Sequence, residues 1–365
     1  MFPILSDLGS TCKLEVRHKF SSVSKVCEVT KNRDFNMSLP ETYIHKLSSS
    51  EPALNRIIEA DASNFRNKFN LAPFIFTHNL AGHPLFEIPR LIELTNTLLI
   101  KGGRDKALCR TSNSSTHMKW GEMPHKEQVT EAIAHIKESG SLVFLKSVQL
   151  DKEYANLLDK CIIEFEDLTG VPLQKEITWS TATIIISSPH SITPYHIDHE
   201  ANFLFQICGR KDVYLFDPQD RSVLTEQELE HYYIGDFESV NYKEESQSKA
   251  NTYHLIPGKG VHQPSQAPHW VKNGNSVSIS LSINFCLHSI DLPIRVYQVN
   301  HYLRQLGLEP TPPGKSPLKD NFKIFAIGML SKRNSEDHDE VICSGVRKLK
   351  ALLAPVRQVA TRLKR

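Results

Sequence analysis

A chain of 365 residues suggests about two domains, and its 40% hydrophobic and 23% charged residues place it among globular proteins with a full hydrophobic core. No apolar run approaches the roughly 20 residues that a membrane helix needs. Lys and Arg number 43 against 41 Asp and Glu, a net charge of +2, too near balance to imply nucleic-acid or membrane binding by the whole chain. The stretch from Met1 to Lys13 has no basic region followed by a long apolar one, so the expected compartment is cytoplasmic. The seven cysteines make no C-x-x-C pair and read as reduced thiols.

In chain order, the first 60 residues carry little signal and suit a surface-wrapped extension. Helical spacing of apolar residues predicts helices over Leu54–Phe69 and Ile88–Leu99, with a short strand Phe74–Phe76 between them. A polar stretch, Arg110–Glu122, separates these from a helix near Glu127–Glu138, a strand Leu142–Leu145 and a helix Lys152–Leu168. After Gly170 the character changes. Thr181–Ser187, Phe203–Ile207, Val213–Phe216, Tyr253–Ile256 and Val277–Phe285 are β-branched or aromatic runs bounded by Pro, Gly and Asn turns, which predicts a sandwich or small barrel in place of a parallel sheet. Beyond Leu292 the chain turns helical, passes Pro312-Pro313-Gly314, and ends in a basic amphipathic segment, Val346–Arg365. The expected organisation is a helical N-terminal region (1–125), a barrel with supporting helices (126–290) and a helical C-terminal region (291–365).

Among the 17 histidines, context singles out His196. His196-Ile197-Asp198 enters the strand-rich region, and on an extended chain its spacing puts both side chains on one face. A His and a carboxylate on one strand plus a later His make the facial triad of non-heme Fe(II) sites. Two later histidines qualify by distance along the chain, His262 and His269. They are seven residues apart, so an uninterrupted strand would turn them to opposite faces, although Pro264 and Pro268 can bend it. Lys211 shares its side of the strand with Val213 and Leu215, which predicts an inward ammonium that needs an anion; the alternative is a lysine that snorkels out at the turn after Gly209. His199-Glu200 offers alternative metal ligands, His231–Tyr233 and His254 read mainly as packing or core groups, and Cys208 and Cys286 as inert core thiols.

The stretch Thr193–Lys211 (TPYHIDHEANFLFQICGRK), followed by Val213–Pro218, resembles the JmjC or cupin-like family of Fe(II)/2-oxoglutarate oxygenases. The likeness is to the branch of the asparaginyl hydroxylase that inhibits the hypoxia factor and to bacterial cupin-like proteins. Pro257-Gly258, Pro268-His269-Trp270 and Asn284-Phe285 match the family's second block. This resemblance implies a mainly β core with helical flanks, a double-stranded β-helix of the jelly-roll or cupin-like kind. It makes His196, Asp198 and His269 the iron ligands, places Lys211 and Thr193 on the distal carboxylate of 2-oxoglutarate, and lines the cosubstrate pocket with Asn202 and Asn284. His262 is then expected at the pocket rim.

The implied activity is a dioxygenase that uses Fe(II), 2-oxoglutarate and O2 to hydroxylate an unactivated C–H bond of a peptide or protein side chain. Alternatives are a small metabolite or natural product as acceptor, and a non-catalytic cupin-like regulator. Neither nucleic acid nor a membrane is the expected partner. The apolar stripe of the C-terminal segment suits packing on the barrel or a homodimer through the C-terminal helices.

Overall fold

The computed structural model describes residues 56–330 and 345–351; most of the basic C-terminal segment, and the extension before Arg56, lie outside these. Among the described residues there are thirteen strands: β1 (Ile58–Glu59), β2 (Phe74–His78), β3 (Ala107–Thr111), β4 (His125–Lys126), β5 (Ser141–Leu145), β6 (Ile177–Ser187), β7 (Ile192–His196), β8 (Ala201–Cys208), β9 (Lys211–Leu215), β10 (Asn251–Leu255), β11 (Lys259–Gln263), β12 (His269–Asn273) and β13 (Ser278–Leu287). They form two antiparallel sheets, one of nine strands in the order β1-β2-β11-β8-β13-β6-β5-β3-β4 and one of four in the order β10-β9-β12-β7. From β6 to β13 the chain keeps crossing between the two. This is the winding of a double-stranded β-helix, and β1–β5 extend its larger sheet. β4 straddles the boundary expected between residues 125 and 126.

Strand alternation sorts the side chains. On β8, Phe203, Phe205 and Ile207 join a buried apolar cluster with helix α1 (Ala62–Lys68), α2 (Ile88–Gly102), α3 (Val129–Ala134) and α4 (Lys152–Thr169). Phe165 of α4 stacks on Phe203 with ring centroids 3.8 Å apart. The other face of β8 points into the barrel. There Leu204 meets Val213, Leu215, Val261 and Val271 in a second apolar cluster, while Asn202 and Gln206 bond to polar residues of β13. α4 is bounded by its own sequence: Asp151 caps it by accepting from the Glu153 amide, and Gly170 ends it in the left-handed conformation.

The helix expected over Leu54–Phe69 is shorter than its spacing suggests. The Glu164 carboxylate of α4 is buried and accepts the amides of Ile57 and Ile58 at 2.8–3.0 Å, which holds that segment extended as β1. Asp61 then caps α1. After a short α5 (Leu173–Glu176) and the barrel, α6 (Glu226–Tyr233) lies in the long β9–β10 connection, and α7 (His288–Gln305) and α8 (Pro317–Gly328) follow β13. Cys208, expected in the core, is exposed at the end of β8, whereas Cys286 is buried.

Gly209 makes the crossing from β8 to β9. Its φ is +74°, and a Cβ there would stand 2.1 Å from the Val277 carbonyl oxygen. Gly209→Ala therefore incurs both left-handed strain and a backbone clash, and is expected to lower stability by about 1–3 kcal/mol; an unchanged urea midpoint would contradict this.

Candidate functional site

β12 is the middle of the site. His269 pairs with His196 of β7 on one side and with Leu215 of β9 on the other. Two residues on, Val271 pairs with Thr193, so β7 spends three residues where β12 spends two. The bulge falls at Pro194-Tyr195, where proline lacks the amide a regular ladder needs. It lets Thr193 and His196, an odd interval apart, share the inward face. Asp198 reaches the same place by another route than expected. It lies past the end of β7, in a loop and not on the strand. Gln266 donates its amide to the Asp198 carbonyl at 2.8 Å, and the Ser265 hydroxyl donates to that of His199 at 2.6 Å.

The potential ligand atoms of His196, Asp198 and His269 all lie within 4.8 Å of one another. His269 Nε2 is 3.8 Å from Asp198 Oδ2, and the two imidazole centroids are 4.1 Å apart. Each ring is oriented by a short bond to a carbonyl two residues before it: Nδ1–H of His196 donates to Pro194 O at 2.7 Å, and that of His269 to Ala267 O at 2.9 Å. This fixes the tautomer and leaves Nε2 with a lone pair, as a metal-binding imidazole requires. Burial, and then the adjacent His196, push the His269 pKa down to about 4 against the opposing pull of Asp198. Two imidazoles and one carboxyl group converging on one point form a donor set that could hold a divalent transition metal.

Lys211 is buried at 4% exposure, beside the inward Val213 and Leu215. Among the described residues no hydrogen bond or ion pair reaches its ammonium, and burial alone pushes its pKa down to about 7. It pairs with Asn273 of β12, four residues from His269. That places it about 13 Å along the strand from the histidine row, with Thr193 in the row between. Asn202 and Asn284 face each other across β8 and β13 at the end nearer the histidines, joined by a 2.9 Å bond. The Oδ1 atoms of Asn202 and of Asn273 are buried without a partner.

Other candidates resolve away from the site. His262 lies on β11 in the other sheet and faces the helical layer, packed among Phe69, Phe74 and Phe203. Its Nδ1–H donates to Asn202 O and its Nε2 accepts the Asn70 amide, both at 2.9 Å. It is a fully buried core histidine, not the rim group expected. His254, expected in the core, is exposed and bonded to Asp212. His199 is buried, with Nδ1 3.5 Å from Glu200 Oε2, and is not in the metal-competent cluster. Tyr232 and Tyr233 are buried packing groups. One contact that sequence reasoning missed is Trp120, whose ring stands edge-on to His196 at 5.3 Å.

Residues 96–285 match the family model of the cupin-like domain, more than half of the chain. The chain belongs to the cupin-like domain family. HSPB1-associated protein 1 from Rattus norvegicus and from Mus musculus are similar to it at 26% identity over 137 residues. That alignment covers 32% of this cupin-like chain and 28% of each relative, so the chain matches little more than a quarter of their length. Among solved structures it is similar to Escherichia coli ycfD at 14% identity and a TM-score of 0.44, covering 77% of this chain and 74% of that one. A structure of YcfD, described as a ribosomal oxygenase in complex with cobalt and 2-oxoglutarate, is similar at 12% identity and a TM-score of 0.41, covering 82% and 67%.

The buried histidines of this cupin-like fold give its stability a pH dependence. Burial lowers the pKa of His78 to about 4 and of His262 to about 3, below the value of about 6.5 in the unfolded chain. As pH falls under 6.5 the unfolded chain takes up protons first. The stabilising contribution is therefore full above 6.5 and is lost through the window down to 3–4. Each histidine is expected to withdraw up to about 1.4 kcal/mol per pH unit there. Urea midpoints measured on metal-free protein from pH 7 to 4.5 should fall steadily, and a flat profile would count against neutral core histidines.

Proposed function

We propose that the chain is an Fe(II)- and 2-oxoglutarate-dependent hydroxylase acting on a peptide or protein side chain. The observation that carries this reading is Lys211. A buried ammonium without a partner is costly, and it stands in the same barrel as a His-Asp-His donor set. The distance between the lysine row and the histidine row suits a small dianion that can meet the metal at one end and the ammonium at the other. A non-catalytic scaffold has no need of that cation.

In this reading His196, Asp198 and His269 hold Fe(II) by three donors and leave its remaining positions open. Lys211 and Thr193 hold the distal carboxylate of 2-oxoglutarate. Asn202 and Asn284 line the cosubstrate pocket, and the unsatisfied Asn202 Oδ1 is free for a polar guest or water. When bound, Fe(II) with O2 would couple conversion of 2-oxoglutarate to succinate and CO2 with insertion of the other oxygen atom into a C–H bond. The chain's part is to orient the reactants and to keep water away with the apolar cluster of Leu204, Leu215 and Val271. A polypeptide acceptor is favoured by a cleft of about 710 Å³ that reaches Ser265 and Gln266, the residues tied to the Asp198 loop, from Pro218, Tyr297 and Pro312.

Titration under nitrogen tests the assignment. His269→Ala is expected to abolish Fe(II) binding, whereas His262→Ala keeps it at a cost in stability. Lys211→Ala should retain the metal and weaken 2-oxoglutarate at least about tenfold, since a charge-assisted hydrogen bond contributes about 1.5–3 kcal/mol. Metal uptake by the His269 variant, or unchanged 2-oxoglutarate affinity in the Lys211 variant, would overturn the respective role.

A homodimer through the C-terminal helices is proposed on α8. Its buried face carries Asp320, Lys323 and Ile327, while Leu318, Phe322, Phe325 and Met329 are 64–85% exposed. Four such side chains expose on the order of 600 Å² per protomer, about 1,200 Å² for a two-fold pair, the lower bound of stable interfaces. Light scattering should give a dimer for the wild type and a monomer for Phe322→Glu/Phe325→Glu; a monomeric wild type would exclude it.

A further inference from the structure

The four-stranded sheet ends at β7, and no strand of that sheet covers its outer edge. The segment 112–122 covers it instead. The Tyr195 amide donates to Thr116 O at 3.2 Å and the Ser114 hydroxyl donates to Ile192 O. At its far end the segment is tied to the β9–β10 connection: the Gly121 amide donates to Glu238 Oε1 at 2.7 Å, and Lys119 Nζ donates to Val240 O at 2.6 Å. His117 packs on Tyr242. These contacts are hydrogen bonds and the ring contact of His117, and none uses the Trp120 ring. The strap is therefore fixed without it.

The ring has two aromatic contacts, one from each sheet: Phe144 of β5, at 5.4 Å, and His196 of β7, at 5.3 Å. It bridges the seam between the sheets and remains half-buried. A large side chain that the strap does not need for anchorage, held edge-on to a candidate metal ligand and partly open to solvent, is placed to control approach. Resting on the metal-site reading above, we propose that Trp120 is a specificity-determining residue: its ring limits the size of the group that can reach the metal past His196.

Co(II)-loaded protein, titrated by visible absorption with azide, imidazole and 4-phenylimidazole, tests this without an acceptor. The wild type is expected to bind azide and to discriminate against 4-phenylimidazole. Trp120→Ala should bind azide as the wild type does and gain about tenfold or more for the bulky ligand, the scale of steric discrimination in enclosed sites. Trp120→Phe should keep most of the discrimination. Equal preference across the ligand series in wild type and Trp120→Ala overturns the inference while leaving the metal site standing. A wild type that takes up no Co(II) removes both.

Discussion

The site depends on one piece of backbone geometry, the antiparallel pairing of β12 with β7 on one side and β9 on the other. Because residue 269 is opposite residue 196, two imidazoles from distant parts of the chain arrive within 4.1 Å. Because the same strand carries Asn273 opposite Lys211, the buried cation stands at a fixed separation from them. A one-residue slip of β12 would turn His269 outward and exchange the inward Val271 for Trp270 or Lys272. The register is protected by both faces. Val271 is packed into the barrel, while Trp270 stacks on Tyr214 at 3.9 Å outside and donates to Gln247.

The barrel interior holds polar side chains at both of its ends. Gln206, Ser278 and Ser280 satisfy one another at one end, and Asn202, Ser282 and Asn284 do so at the other. Beside these paired groups, the buried Lys211 side chain and the Oδ1 atoms of Asn202 and Asn273 have no hydrogen-bond partner among the described residues, as is also true of several buried polar atoms elsewhere in the fold. Buried polar groups in folded proteins are as a rule hydrogen-bonded.

Much of this was legible in the sequence, for identifiable reasons. β6, β8, β9, β10 and β13 are β-branched or aromatic runs, and period-two alternation placed Lys211 with Val213 and Leu215 correctly. β11 and β12 carry Lys, Gly, His, Gln and Asn among few apolar residues, so propensity did not mark them. His262 was misplaced because its surroundings are tertiary: the rings around it come from α1's end, β2 and β8, and its two bonds run to Asn70 and Asn202. Asp198 was assigned to the inward face by strand periodicity, yet it lies in a loop whose direction is set by hydrogen bonds from residues 265 and 266. Trp120 was hidden in a polar stretch that reads as a spacer, since its significance lies in the edge of a strand formed much later in the chain.

The Asp198 loop is bound to the 264–268 turn, in which Gln266 holds a left-handed φ of +64°, a conformation that costs a non-glycine residue about 1–3 kcal/mol. The same turn leads directly into His269, with Phe216 of the β9 end donating its amide to Pro268 O at 2.9 Å. Asp198 and His269 are therefore carried by two short segments clamped to each other, while His196 is fixed from the opposite side by the bulge of β7 and the strap of residues 112–122. The three potential donor side chains are thus positioned by backbone contacts of the polypeptide itself. Such pre-organisation lowers the ordering cost of binding.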